Sequence, residues 1–101
     1  MKKTDTRRDD RRITRGDKRG VFYDLFPAEE AAELTMRAEL LRGLQGWLET
    51  AGTQTAAAKL LGVTQARVSD IKRGKIGSFS LDLLVRLAAR AGLRPKLRLA
   101  A

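Results

Sequence analysis

Gln65, Ala66, Arg67, Ser69, Asp70, Lys72 and Arg73 fall within one run of nine residues, QARVSDIKR. Amide, guanidinium, hydroxyl and ammonium groups at this density can hydrogen-bond base edges and neutralise phosphates. Thr53, Gln54, Thr64 and Lys75 lie close by and complete the candidate set for binding DNA. Arg67 is the best candidate for a two-pronged contact to guanine N7 and O6, with a phosphate contact as the alternative. Lys72, Arg73 and Lys75 are suited to phosphates. At a helix end the same cations would also offset the negative pole of the helix dipole. Other chemistries are poorly served. The chain has no Cys and no His, which excludes disulfides, thiolate or imidazole metal ligands, and Cys or His nucleophile–base pairs. Its carboxylates do not fall on an apolar face beside another polar group, as a tuned acid or base would. No enzyme activity, metal or cofactor is expected.

Those side chains are useful only if short elements hold them still. In the stretch TQTAAAKLLGVTQARVSDIKRG, Thr53 to Gly74, two short helical patterns meet at a tight break. The Thr53 hydroxyl can accept an orphan N–H of a first helix, Gln54 to Leu61. Gly62 ends that helix, because glycine takes the left-handed conformation at little steric cost. Thr64 caps a second helix running to about Arg73, and Gly74 stops it. Ala57, Ala58, Leu61, Val63, Val68 and Ile71 point inward. A side chain larger than Ala58 would push the two helices apart where they cross. Two helices joined by a short glycine-containing turn describe a helix-turn-helix.

A chain of 101 residues suggests one domain, and one this small buries only about 60–65% of its unfolded surface. The net charge of +9 implies an anionic partner, with nucleic acid the first choice. No apolar run approaches the roughly 20 residues of a membrane span, and a cytoplasmic, nucleoid-associated protein is expected. Residues 1–20 hold nine Lys/Arg and four Asp/Glu with almost no large apolar residue, and read as a disordered basic arm. That arm either adds phosphate contacts or is a solvated tail. The domain proper is then 21–101.

Residues 21–26, VFYDLF, hold three of the five aromatics: Phe22, Tyr23 and Phe26. They either pack against the helical core or anchor a protein partner. Pro27 to Ala51 is the longest helical pattern, with an apolar stripe at Leu40, Leu41, Leu44, Trp47, Leu48 and Ala51. Gly43 and Gly46 allow a break within it. Residues 21–52 carry six acids and two bases, whereas 53–77 carry five bases and one acid, so the positive charge gathers on the motif itself. Ser80 caps a further helix, about Leu81 to Ala91, with Leu81, Leu84, Val85, Ala88 and Ala91 on its buried side, Leu83 and Leu87 widening it, and Gly92 as its stop. Residues 93–99, LRPKLRL, alternate: Leu93, Pro95, Leu97 and Leu99 point one way and Arg94, Lys96 and Arg98 the other. That is a strand pattern, with Pro95 confined to an edge. A lone strand needs a partner: the same segment of a second copy would supply one and make a dimer, or the strand adds to the sheet edge of a partner protein.

The spacing of Gln54, Ala58, Gly62, Val68 and Ile71 resembles the λ-repressor-like (XRE) helix-turn-helix family. VFYDLFPAEE before the long helix, VTQARVSDIKRGKIGSFSLDLLVRL after the turn, and the basic–apolar C-terminal strand resemble the HigA-like antitoxin subgroup. The fold this implies is all-α: a helix-turn-helix bundle of four to five helices with a short C-terminal β-strand. The function it implies is a dimeric autorepressor that binds double-stranded operator DNA and neutralises a RelE/ParE-type ribonuclease toxin. Stand-alone and phage-type XRE repressors share the motif. By the same resemblance, the Gln65–Arg73 helix enters the major groove. Gln54 and Gln65 come together at the DNA surface, with Gln54 nearer a phosphate. The basic arm before Val21 departs from the pattern.

Overall fold

A computed structural model describes Phe22 and residues 24–100 of the chain. Among the described residues, four α-helices with both ends described follow in order: α1 Ala28–Leu48, α2 Gln54–Leu61, α3 Gln65–Lys72 and α4 Leu81–Arg90, with a 3-10 turn, Ile76–Ser78, between the last two. Tyr23 and the basic arm of residues 1–20 lie outside the described residues. No described helix is long and apolar enough to cross a membrane.

The chain divides into two units whose boundary falls after Thr35, within α1. In the first, Pro27 stands just before α1 and its carbonyl accepts the Ala31 N–H at 2.8 Å. Proline suits this place because a helix start has N–H groups to spare. Glu29 and Glu30 occupy the first turn, where carboxylates complement the helix dipole. Phe22 is half-buried, whereas Leu25 and Phe26 are 68% and 37% exposed.

The second unit holds the helix-turn-helix. Its main core joins Leu41 and Leu44 of α1, Leu61 of α2, Ile71 of α3, Phe79, and Leu84 and Leu87 of α4. Full burial of each such side chain stabilises the fold by roughly 1.5–3 kcal/mol. A smaller cluster of Ala57, Ala58 and Val68 lies where α2 and α3 pack. Trp47, Leu48 and Val63 touch both clusters and tie them together. Gly43 and Gly46 do not break α1. Each lacks a side chain on an exposed face, while the apolar stripe beside them is held by packing.

The caps agree with local chemistry. Thr53, Thr64 and Ser80 accept the N–H groups of Ala56, Arg67 and Leu83. At the other ends Gly62, Gly74 and Gly92 have φ of 69°, 70° and 83°. After each, the chain folds back on its helix: Val63, Lys75 and Leu93 donate to the carbonyls of Ala58, Asp70 and Ala88 at 2.9–3.0 Å. These are paired C-terminal closures of the Schellman type.

Two expectations about the C-terminal third need correction. In α4 the buried residues are Leu84, Leu87 and Ala88, whereas Val85 is 41% exposed. Steps of three and four from Leu84 lead to Leu87 and Ala88, and Val85 falls beside that stripe. The C-terminal strand does not form: residues 93–100 have no regular structure. A strand exists only through hydrogen bonds to a neighbour, and among the described residues of this single chain there is none to pair with it. Leu93 packs half-buried against the core, while Leu97 and Leu99 stand 71% and 81% exposed.

Candidate nucleic-acid interface

Helix α3 is fixed from inside and from both ends, and its remaining face is polar. Val68 and Ile71 are fully buried and point it at the core. Thr64 closes its first turn, with the Arg67 N–H donating to the threonine hydroxyl at 3.1 Å. At its last turn, Gln45 of α1 reaches across and donates its Nε2 to the carbonyls of Ile71 at 3.0 Å and Lys72 at 3.3 Å. Helix ends leave carbonyls without partners, and a side chain 26 residues away in sequence supplies one here. On the face left over, Gln65, Ala66, Lys72 and Arg73 are exposed, and Ser69 and Asp70 are half-buried. Lys75 is exposed in the turn that follows.

Arg67 is partly committed within the molecule. Its Nη1 donates to the Ser78 carbonyl at 2.9 Å, and its guanidinium carbon lies 5.1 Å from the centroid of the Phe79 ring. A cation over an aromatic face is attractive, so Arg67 braces α3 against the 3-10 turn. A guanidinium has five N–H donors, so this brace leaves others for a nucleic acid. The Phe79 ring it covers is itself buried, and Arg37 of α1 holds the Phe79 and Ile76 carbonyls at 3.2 and 3.3 Å. Asp70 pairs with Arg73 at 3.8 Å, one helical turn along α3. A surface pair of this kind, with only Asp70 partly buried, contributes about 0–1 kcal/mol.

The start of α2 faces the same region. Thr53, Gln54 and Lys72 line one cleft of about 460 Å³, together with Gln45 and Glu49. Three residues that sequence analysis singled out from two different helices thus border one concavity. Gln65 donates its Nε2 to the Thr55 hydroxyl at 3.1 Å, joining the first turns of α2 and α3. At the far end of α2, Arg90 of α4 donates to the Leu61 carbonyl at 2.8 Å, so both helices of the motif have a C-terminal carbonyl held by a remote side chain.

Residues 21–99 match a family model described as a helix-turn-helix domain, of the XRE type. The chain belongs to that helix-turn-helix domain family. No curated protein matches it. Membership makes this a DNA-binding domain of the kind found in transcription regulators. The helix-turn-helix itself is α2–Gly62–α3. Gln45, Thr55, Ser78, Phe79 and Arg90 were not among the residues that sequence analysis marked for the site. Only Phe79 carried a signal, as an isolated aromatic between the glycine-containing turn Gly74 to Ser78 and the Ser80 cap of α4. Gln45 and Arg90 read as ordinary solvated helix residues until the elements they reach are placed beside them.

Electrostatics around the motif are simple. Among the described residues no group of carboxylates could hold a metal ion. The Asp82 carboxyl is held below its ordinary value, first by the Ser80 hydroxyl, then by backbone N–H groups of its own turn and by Arg86 nearby.

Proposed function

We propose that this helix-turn-helix domain is a sequence-specific operator-binding repressor that works as a dimer and serves as the antitoxin of a type II toxin–antitoxin module. The observation that carries the DNA reading is the way α3 is held. Its inner face is buried, its C-terminal carbonyls are taken by Gln45, and Arg67 braces it against Ser78 and Phe79, while Gln65, Ala66, Lys72 and Arg73 remain outside. Base recognition needs side chains delivered in a fixed register, and a helix braced in this way can deliver them. Operator titrations test this. The protein should retard the DNA upstream of its own gene at concentrations where unrelated duplex stays free. Equal affinity for both would remove the repressor reading.

The dimer is supported by the C-terminal segment. Leu93 is docked, Leu97 and Leu99 are exposed, and their pattern is that of a strand without a partner. Pairing with the same segment of a second copy would cover those leucines and set two α3 helices for half-sites about 34 Å apart. The antitoxin role is supported by the resemblance to HigA-like antitoxins and by the exposed Leu25 and Phe26 beside Glu29 and Glu30, which together suit a basic protein partner. Phe22 and Tyr23 would extend that anchor. Co-purification with the product of the adjacent gene is the test, and the absence of any such complex would leave a stand-alone repressor.

A further inference from the structure

We propose that Thr55 sets the base preference of this domain by fixing the amide of Gln65 in the state that reads adenine. The inference rests on the DNA-binding reading above and goes beyond it to one base and one residue. Gln65 is the first residue of α3 and is exposed, at the end of the helix that meets base edges in this kind of motif. Its Nε2 donates to the Thr55 hydroxyl at 3.1 Å. Thr55 lies in the first turn of α2, itself held by the Thr53 cap, so the acceptor is carried on a fixed element.

The consequence follows from counting donors. A glutamine amide has two N–H donors and one carbonyl acceptor. With one N–H on Thr55, one donor and the acceptor remain. Adenine offers N7 as acceptor and its N6 amino group as donor, which that remaining pair matches. Guanine offers N7 and O6, both acceptors, and would need two donors from the same amide. One of those is already taken. Without the Thr55 hydroxyl, the amide can rotate about its last bond and turn both N–H groups outward, so the distinction fades. Thr55 is therefore a positioning residue: it touches no base and acts through Gln65.

Selection of bound duplexes from a randomised pool tests this without knowing the operator. Gln65→Ala first locates the base pair that Gln65 reads, as the position whose preference disappears. At that position the parent should favour adenine over guanine by roughly 5- to 150-fold, the range expected of one good two-pronged contact. Thr55→Val, which keeps the shape and removes the hydroxyl, should bring that ratio down by about fivefold or more and leave the other positions unchanged. Thr55→Ser should restore it. Thr55 is exposed, so the fold is not at stake, and a purely structural role would lower affinity for all sequences together. A parent that enriches no motif would overturn both the DNA reading and this inference. A parent that enriches a motif in which Thr55→Val keeps the same adenine preference, or in which guanine stands at the Gln65 position, would overturn this inference alone.

Discussion

Replacing Gly74 by alanine should destabilise the domain more than the same change at Gly92, and Gln45 should account for the difference. Both glycines end a helix in the left-handed region, with φ of 70° and 83°. An alanine there costs about 1–2 kcal/mol through its Cβ, and the gain from a stiffer unfolded chain is common to both sites. The surroundings differ. A Cβ at residue 92 meets no atom within 4 Å, whereas one at residue 74 would stand 3.2 Å from Gln45 Nε2. Gln45 must retreat by a few tenths of an ångström. Its bond to the Lys72 carbonyl is already 3.3 Å long and would be lost, and the 3.0 Å bond to Ile71 would be stretched. Hydrogen bonds of this kind contribute about 0.5–1.5 kcal/mol each. G92A should therefore cost about 1–2 kcal/mol and G74A about 2–3 kcal/mol. Urea unfolding followed by fluorescence of Trp47, the one tryptophan, reports on both clusters because the indole packs against each. In a Q45A background the excess at residue 74 should vanish while the cost at residue 92 stays the same. Equal losses for G74A and G92A in the parent, or an excess that survives Q45A, would refute the contact argument.

Other expectations follow from single contacts. R90M keeps the apolar stem but gives up the 2.8 Å bond to the Leu61 carbonyl, and should cost about 1–2 kcal/mol in the same unfolding assay. K72A and R73A should weaken binding to all duplexes alike and flatten the dependence of log affinity on log salt by about 0.9 each, whereas Q65A should act at one base pair; titrations at several salt concentrations separate the two patterns. Removal of residues 94–101 should leave a folded monomer with much weaker operator affinity, read by sedimentation and by DNA titration, and a truncated protein that stays dimeric would move the interface to the helices. Because the folded state holds the Asp82 carboxyl below its ordinary value, the stability that it contributes is complete above that value and is lost as pH falls toward the lower folded one. The gap between parent and D82N unfolding curves should accordingly close on acidification.

The helices and their limits are legible in the chain because their causes lie within five residues. Thr53, Thr64 and Ser80 cap the turn they begin, and Gly62, Gly74 and Gly92 close the turn they follow. The apolar steps through Leu40, Leu41, Leu44 and Leu48 do the same for the inner face of α1. The exposed polar face of α3 belongs with these, because Val68 and Ile71 turn the other side inward. What holds that helix in register is not local. Gln45 to Ile71, Arg37 to Phe79 and Arg90 to Leu61 span 26, 42 and 29 residues. Each is a polar side chain on a helix surface, with the same local signature as a solvated one. The Arg67 stack on Phe79 and the Gln65 bond to Thr55 likewise exist only once α2, α3 and the 3-10 turn are packed together. The C-terminal segment shows the reverse case. Its alternation is plain in LRPKLRL, yet residues 93–100 are not a strand, because alternation sets which side chains share a face while the strand itself needs backbone partners. Periodicity and caps are properties of neighbours in sequence, whereas braces and sheet pairing are properties of neighbours in space.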